Sequence, residues 1–525
     1  MYVRTISRTN KDGSKVEYIQ LAHNVRHPEK GYSKAEVIYS FGRKDQLDTE
    51  TIKRLVNSLC RFLNPEDALK VQQEAQGSRS FTFVESRPAG GAHLLRGLWK
   101  RLNIGACLRR ALKGRNFTVP VEEGIFAMVA NKALAPCSKL GVEEWLAREV
   151  YVDIADSIQV QHLYRGMDFL LDHGEKVQEQ VFWSTANLLN LEVDLIFFDT
   201  TNTYFEIEDV GDSELKNYGH PKDKKDNLPL VTIGLAVTRQ GIPVKCWVLP
   251  GNQHDSKSVE QVQRELTGWQ LGRVIWVMDR GMSSEENRRL LQRAGGDYIL
   301  GEKLRGNKES EEALRRGGRY KIVRDNLQIK EIYLGQGATR RRFIVVHNPQ
   351  EAKKDQKVRE KVLELVNQEL QSIAALPEDK RGPARKRLLA HKSMKRYLRE
   401  LKSGQIKINK AKVRDDARLD GKYLLSSSNE KLSAEDIALG YKQLLEVERA
   451  FRTMKSTLEL RPIYHRKDER IRSHVLLCWL ALLLIRVAEV ETALTWERIR
   501  TEMDGLHLGK FLTENNRVLQ YTELT

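Results

Sequence analysis

Hydrophobic and polar residues alternate along the first 45 residues, as they do in half-buried β-strands. The segments KVEYIQL (15–21) and AEVIYSFG (35–42) show this period of two. Residues 47–75 and 90–190 instead carry apolar residues at three- and four-residue spacing, which indicates helices. The pattern therefore predicts a small β-rich cap that is followed by a helical region.

The pattern changes again near Val193, where short apolar runs begin to alternate with helical segments. Three early strands and then a strand–helix alternation indicate an α/β sheet with an antiparallel part. We predict strands at 194–199, 229–238, 243–251, 274–279 and 297–301, and helices at 256–266 and 284–294.

The regular alternation stops for more than a hundred residues in the second half of the chain. Residues 319–347 predict two or three strands, and residues 350–403 predict two highly charged helices, broken at Pro377 and at Gly382-Pro383. Strand character then resumes with KYLLSSS. We therefore interpret residues 305–421 as an insertion into one core domain.

The predicted fold class is α/β, with a mixed β/α insertion in the core and a β-rich cap and a helical domain before it. Basic residues lie between the apolar positions of the helical domain, which fits either a DNA groove or a plain helical bundle. The predicted segments are 1–89 (cap and helix), 90–190 (helical, DNA-binding), 191–304 (core, first part), 305–421 (insertion), 422–500 (core, second part) and 501–525 (C-terminal tail).

The charge balance favours a polyanionic partner. The chain has 88 Lys and Arg against 71 Asp and Glu, a net charge of +17. Each basic side chain set against a phosphate releases condensed counterions, so such an excess suits nucleic acid better than a merely soluble basic protein. The sequence has no Walker A, GxGxxG or HExxH motif, which leaves nucleotide and zinc-protease functions without support.

No feature of the sequence points to a membrane or to secretion. The longest apolar run, 475–485, is shorter than the roughly 20 residues that span a bilayer, and we predict a buried helix there. The N-terminus lacks the apolar core of a signal peptide. Five scattered cysteines form no CxxC pair, which predicts reduced thiols and no zinc site.

Three carboxylates stand where a metal-dependent nuclease needs them. Asp199 follows the apolar run 195–198, and Asp279 follows the apolar run 274–278. Tyr441, Glu448 and Lys455 are seven residues apart, which puts them on one face of a predicted helix over 434–458. Two-metal phosphodiester cleavage requires such carboxylates from separate elements.

Each of these residues also has an ordinary structural interpretation. An Asp at a strand end often begins a turn, and a Glu and a Lys on a helix often form a solvated face. Glu446, two residues before Glu448, falls on the opposite side of the helix, where we expect a surface charge near Arg449. The three motifs in this order favour a common site.

These motifs resemble those of the DDE transposases of bacterial insertion sequences. The resemblance rests on Asp199 in FFDTT, Asp279 in VMDRG and the Tyr441, Glu448, Lys455 series, and it is closest to the insertion-sequence-four superfamily with its Tyr-Arg-Glu-Lys signature. GIPVKCWVLPGNQHD and FRTMKSTLELRPIYHR resemble its sixteen-thirty-four branch. One departure is Leu444, which stands where the signature has Arg; Arg449 and Arg452 are candidates to replace it.

The resemblance implies an RNase H-like catalytic core in which Asp199, Asp279 and Glu448 bind two Mg²⁺ ions, with Mn²⁺ as a substitute. It also implies that the protein binds the inverted-repeat ends of its element as a homodimer, cleaves them and joins them to target DNA. We expect it in the bacterial cytoplasm, at the nucleoid and not at a membrane. The expected DNA contacts are Tyr441, Lys455, Arg452, Arg449, Arg280 and His465.

Other residues and other functions remain open on the sequence. His465 has a structural role as its alternative, and so do two further groups: Asn252, His254 and Asp255 after a strand, and Lys222, Lys224 and Lys225 in a basic loop. The rival functions are a catalytically inactive, transposase-derived DNA-binding protein and a structure-specific nuclease on the same core.

Overall fold

The computed structural model divides into two compact units. Unit 1 comprises 1–91, 148–151 and 500–525, and unit 2 comprises 92–147 and 152–499. The residues described are 1–9, 15–26, 33–47, 49–76, 82–114, 120–152, 158–207, 210–219, 221–222, 227–271, 273–293, 295–512 and 517–522.

Unit 1 contains the predicted β-rich cap and two helices. The antiparallel sheet β1-β2-β3 and the helices α1 and α2 confirm the expected elements, and a second antiparallel sheet has the order β18-β17-β4. The bounds are β1 Tyr2–Thr9, β2 Lys15–Arg26, β3 Ser33–Arg43, α1 Thr49–Cys60, α2 Pro65–Gln76, β4 Thr82–Pro88, β17 His507–Leu512 and β18 Arg517–Tyr521.

The second sheet of unit 1 includes His507–Leu512 and Arg517–Tyr521, which belong to the segment expected as a tail. Phe511 of β17 is the register partner of Phe83 in β4, and their rings lie 5.5 Å apart. A cross-strand aromatic pair of this kind stabilises a sheet by about 0.2–1 kcal/mol relative to a pair of alanines. The pairing joins segments more than 400 residues apart, so local patterning could not predict it.

The helical layer of unit 2 combines helices that come before and after the sheet strands in the chain. The long α16 packs against α5 and α7. By length and composition α16 is the one described helix apolar enough to cross a membrane, but 83% of its most apolar window is buried inside the protein, which confirms the predicted buried helix. The bounds are α3 Gly90–Arg101, α4 Ile104–Leu112, α5 Val121–Leu134, α6 Lys139–Arg148, α7 Val160–Leu188, α16 Asp468–Thr492 and α17 Trp496–Met503.

A ten-stranded sheet forms the centre of unit 2. Its order is β11-β12-β13-β16-β10-β9-β5-β7-β6, and β8 pairs with β7. The neighbours β5, β9 and β10 are parallel and the other pairs are antiparallel. The bounds are β5 Leu195–Tyr204, β6 Asn217–Tyr218, β7 Pro229–Thr238, β8 Pro243–Pro250, β9 Ile275–Met278, β10 Asp297–Glu302, β11 Lys321–Arg324, β12 Leu327–Leu334, β13 Arg341–His347 and β16 Lys422–Ser427.

Helices cover both faces of this sheet. On one face, α8 (Asp255–Gly268) and α9 (Glu285–Arg293) pack on the even-numbered side chains of β5 and β9, among them Phe198 and Met278. On the other, Gly440 of α14 (Ala434–Lys442) lies over Leu195, and α15 (Leu445–Ser456) packs on β5 and β7. The chain therefore has the predicted mixed α/β fold.

The predicted insertion contributes both to the sheet and to a separate small core. Strands β11, β12 and β13 extend the central sheet, whereas residues 349–420 form what we call the helical subdomain, with its own apolar cluster around Val366 and Leu388. The bounds are α10 Lys308–Arg315, α11 Pro349–Ala375, α12 Glu378–Ala390, β14 Leu398–Glu400, β15 Ile406–Ile408 and α13 Lys410–Ala417.

Three local expectations were wrong. Strand β5 does not end at Asp199 but continues to Tyr204, because β7 pairs with it along its whole length. Gly382-Pro383 lies inside α12 and does not break it. The single helix expected over 434–458 is two helices, because Leu444 donates to the carbonyl of Tyr441, three residues back, and tightens the chain into a turn.

Candidate active site

Asp199 and Asp279 lie side by side on the sheet because their strands are parallel neighbours. Phe198 of β5 is the register partner of Met278 of β9, so the next residue after each partner is a carboxylate. Neighbouring strands are about 4.8 Å apart and successive side chains alternate between faces. Both carboxylates therefore lie on the face of the sheet that α14 and α15 cover.

Asp199 is a carboxylate held in a crowded, largely buried position. Its Oδ1 accepts a hydrogen bond of 2.7 Å from the backbone N–H of Thr200. The pKa of Asp199 is raised to about 6, chiefly by burial; the carboxylates of Asp279 and Asp255 also raise it, whereas the Lys222 ammonium and the Thr200 hydrogen bond lower it. Negative charge thus accumulates at a point where solvent is scarce.

Asp279 is oriented by a tyrosine from the opposite helix layer. The hydroxyl of Tyr441 donates to Asp279 Oδ1 at 3.1 Å, and its ring stacks on Tyr423 with centroids 5.9 Å apart. Burial and the nearby Asp279 both raise the pKa of Tyr441 above its usual value. The phenol therefore remains a hydrogen-bond donor at neutral pH.

Helix α15 brings the third predicted carboxylate to the same place. Glu448, Arg452 and Lys455, at four- and three-residue spacing, share one helical face. They line a cavity of about 660 Å³ together with Asp199 and Asp279. The other side of α15 is buried and anchors the helix through Val447, Ala450 and Met454, and the buried Phe451 lies at the edge of the cavity.

The cavity also contains Lys222 and Asp255, for which the sequence offered only a weak signal. The hydroxyl of Thr200 donates to Asp255 Oδ1 at 2.5 Å, and the Lys222 ammonium lies 3.2 Å from Asp255 Oδ2 and 4.0 Å from Asp199 Oδ1. Lys222 also donates to the backbone oxygen of Thr200 at 2.7 Å. Asp255 is thus a fourth carboxylate in the cavity. Lys224 and Lys225 lie outside the described residues.

Arg461 is a cavity residue that sequence reasoning missed. It lines the cavity beside the carboxylates, and its guanidinium lies 5.3 Å from the ring centroid of Tyr204 at the end of β5. The Arg461-Pro462 pair after the motif helix was the only local signal, and it is too common to identify a site.

The remaining predicted DNA contacts lie outside the cavity lining. Arg280 is exposed, and its positive charge partly offsets the rise in the pKa of the nearby Tyr441. Arg449 donates to Glu446 at 2.7 Å. His465 instead packs against other aromatic rings, with its centroid 5.6 Å from that of His474, and burial lowers its pKa to about 4.

Glu446 is not the surface charge that the sequence predicted. Its side chain is only 17% exposed, because its Oε2 also accepts a hydrogen bond of 2.9 Å from Arg486 of α16. Glu446 therefore joins α15 to α16, while Glu448 faces the cavity. Leu444, at the position of the signature Arg, is buried, and of its two candidate replacements only Arg452 lines the cavity.

The donor set in the cavity suits a hard divalent cation. All the acidic groups are carboxylates, the ligand type that Mg²⁺ and Mn²⁺ prefer, and their mutual crowding is relieved when a cation binds. Among the described residues, no three His, Cys, Asp or Glu side chains are already gathered to hold one ion.

Two models of known protein families match parts of the chain. The family model "Transposase DDE domain" matches residues 207–484, which include Asp279 and Glu448 and begin just after Asp199. The model "IS1634 family transposase, N-terminal domain" matches residues 3–72. No curated protein matched the chain. The DDE domain implies an enzyme that acts on DNA, and transposases of this type generally use divalent metal ions. Because the match to the transposase DDE domain alone covers more than half of the sequence, the chain belongs to the DDE transposases of insertion sequences, in the IS1634 branch.

Proposed function

We propose that this transposase binds the terminal inverted repeats of its insertion sequence, cleaves the DNA ends and joins them to target DNA by a cut-and-paste route. One observation carries the proposal: Asp199, Asp279 and Glu448, from two adjacent strands and a helix, line one cavity. Rigid elements suit this role, because a displacement of about 1 Å in a catalytic group can lower the rate about a hundredfold.

The strand order supports the RNase H-like core that the resemblance implies. The strands β8, β7 and β5 form an antiparallel half, and β9 and β10 continue the sheet in parallel with β5. Helices lie on both faces of these five strands. In this arrangement Asp199 lies on the central strand, next to the strand that precedes Asp279.

The catalytic proposal assigns a role to each group in the cavity. Asp199, Asp279 and Glu448 are the ligands for two divalent ions, which we propose to be Mg²⁺ with Mn²⁺ as a substitute. When bound, such ions activate the attacking oxygen and stabilise the leaving oxygen. Tyr441 holds the Asp279 carboxylate in place through its hydroxyl. Asp255 orients Thr200 and Lys222 beside Asp199.

The basic side chains of the cavity are proposed to hold the DNA. Arg452, Lys455 and Arg461 line it on the side of α15 and its following loop, where they would meet phosphates that flank the scissile bond. Arg452 is our candidate for the task of the absent signature Arg. Tyr441, Arg449, Arg280 and His465 remain proposed DNA contacts.

The proposed reaction has two steps. Water first attacks the phosphodiester at the element's end, and the bond to the 3′ oxygen breaks to leave a 3′-OH. That 3′-OH then attacks a phosphodiester of the opposite strand or of target DNA and displaces its 3′ oxygen. We propose that a homodimer carries out both steps on paired ends, in the bacterial cytoplasm at the nucleoid and away from the membrane.

The decisive experiment incubates the full-length protein with duplexes that carry the two ends of its own element. Breaks that map to those ends, only with Mg²⁺ or Mn²⁺, support the proposal. Binding without cleavage indicates an inactive DNA-binding protein. Pre-cut ends then test joining: cleavage without strand transfer indicates a structure-specific nuclease, and either result overturns the proposed transposition.

A further inference from the structure

The positive charge of the protein is concentrated on one part of the helical subdomain. Residues 377–418, which include α12, β14, β15 and α13, carry fifteen Lys and Arg against five Asp and Glu. Helix α11 packs against α12 and carries five of each sign. This region thus holds an excess of ten positive charges, out of +17 for the whole chain, and α11 does not compensate it.

Two of the five acidic groups of this region already have partners of their own. Asp416 accepts hydrogen bonds from Tyr397, at 2.5 Å, and from Arg305, which lies outside the region. Asp415 pairs with Arg418 at 3.6 Å. In α12, Ala384 and Leu388 are buried in the subdomain core, which turns basic residues such as Lys386 and Arg387 to the exposed side.

The hairpin β14–β15 places two cations directly opposite each other. Arg399 is the register partner of Lys407, so their Cβ atoms are about 4.5–5.5 Å apart. Both side chains are exposed, and their neighbours Leu398 and Ile406 are buried in the core of the subdomain. Among the described residues, no carboxylate pairs with either cation.

Such a pair weakens the hairpin unless an anion binds to it. Like charges directly opposite each other on two strands are destabilising, and the sequence around them offers further repulsion from exposed lysines and arginines. Such an arrangement is informative, because a bound polyanion attracts both cations and so offsets the repulsion between them. The opposed pair Arg399 and Lys407 therefore favours a bound anion over a basic surface that serves only solubility.

We propose that this basic face, defined by Lys386, Arg387, Lys392, Arg399, Lys402 and Lys407, is a DNA-docking surface separate from the catalytic cavity. It binds the phosphate backbone of the duplex that flanks the cleavage site. This inference rests on the proposed function, because it assumes that the protein acts on DNA ends. None of the six residues lines the cavity.

Duplex DNA is the partner whose chemistry fits this face. It carries one negative charge per roughly 1.7 Å of axis, so it can contact several of these cations at once, which a single phosphate cannot. The face consists almost entirely of Lys and Arg, which bind phosphates and give little base discrimination. Its role is thus to position the DNA, while sequence is read elsewhere.

The test exploits the opposed pair. Lys407→Glu places a carboxylate opposite Arg399, so thermal unfolding of the free protein is expected at an equal or higher temperature. Binding to an element-end duplex should nevertheless weaken. The negative slope of log K against log salt concentration should become shallower by about 0.9 or more, the value for one lost phosphate contact. Opposite signs of the two effects separate DNA contact from damage to the fold.

A matched control makes the same charge change on the balanced helix. Lys357 of α11 is exposed, and Lys357→Glu should leave the salt slope unchanged. The double variant Arg399→Gln with Lys407→Gln, which introduces no negative charge, should lower the slope by about 1.8, twice the single-contact value.

The outcomes distinguish failure of this inference from failure of the proposed function. If the wild-type protein does not bind the duplex at all, the proposed function fails with it. If the wild type binds with a steep salt slope and both Lys407→Glu and the double variant match Lys357→Glu, the docking surface is refuted. Loss of binding to single-stranded RNA, with duplex binding unchanged, would also refute it.

Discussion

Replacement of Glu448 and of Glu446 by Gln should separate catalysis from stability within one turn of helix α15. The two residues are about 200° apart around the helix axis at 3.6 residues per turn. Glu448 lines the cavity, whereas Glu446 accepts a hydrogen bond from Arg486 at 2.9 Å and one from Arg449 at 2.7 Å. Gln preserves the size of each side chain and removes only its charge.

The expected magnitudes follow from these contacts. Glu448→Gln removes a proposed metal ligand, so several kcal/mol of charge stabilisation in the transition state are lost, and the cleavage rate falls by at least about a thousandfold. Glu446→Gln weakens contacts to two arginines, of which Arg486 keeps Glu489 at 2.7 Å. The free energy of unfolding should therefore fall by about 1.5 kcal/mol, the lower end for hydrogen bonds to charged groups.

The assay measures end cleavage in Mg²⁺ and thermal unfolding for both variants beside the wild type. Glu448→Gln should be inactive, with an unfolding temperature equal to that of the wild type or above it. Glu446→Gln should retain most of its activity and unfold a few degrees lower. If Glu446→Gln is inactive and Glu448→Gln active, the assignment of the third carboxylate is refuted, together with the roles given to Tyr441 and Lys455.

Three further predictions concern stability and metal binding. Because the pKa of Asp199 is raised to about 6, Asp199→Asn should stabilise the metal-free protein by at most about 3 kcal/mol at pH 7, and this gain should develop between pH 4 and 6. Equal stability of the wild type and the variant in urea titrations across pH 4–8 would contradict this. Glu302→Ala should cost about 3 kcal/mol of unfolding free energy, the lower end for a broken buried pair, since Arg288, 8% exposed, loses the carboxylate at 2.6 Å and keeps that of Glu285 at 3.4 Å; chemical denaturation measures the loss, and a cost below 1 kcal/mol would count against a tight pair. Asp255→Asn should weaken binding of Mn²⁺ to the DNA-free protein in a paramagnetic resonance titration, because it removes one of the four carboxylates in the cavity; unchanged affinity would restrict Asp255 to orienting Thr200.

The sequence was sufficient for the elements whose signals are local. The apolar runs before Asp199 and Asp279 are longer and more hydrophobic than an exposed strand allows, so they predicted two central strands that end near carboxylates. The helical period predicted that Lys455 shares the face of Glu448 in α15, but it did not predict that Tyr441 lies on a separate helix, α14. The three motifs in order also sufficed for the family, which the family models then matched.

Only the tertiary structure could reveal features that depend on partners far away in the chain. Strand β5 continues beyond Asp199 because β7 supplies hydrogen bonds up to Tyr204, and no residue near Asp199 encodes the length of that partner. Glu446 is buried because Arg486, forty residues later, reaches it. Periodicity predicts which face of an element a residue occupies, but not which residue of another element packs against that face.

The composition of the cavity is the clearest case. Lys222 lies in a loop and Asp255 is the first residue of α8, and the sequence around each fits a solvated surface as well as a site. Their place beside Asp199 arises from how β7 and β8 fold back on β5. The opposed Arg399 and Lys407 likewise exist only through the register of β14 with β15. Charges that repel or attract act through space, so their neighbours are set by strand pairing and packing, which a local pattern of residues does not specify.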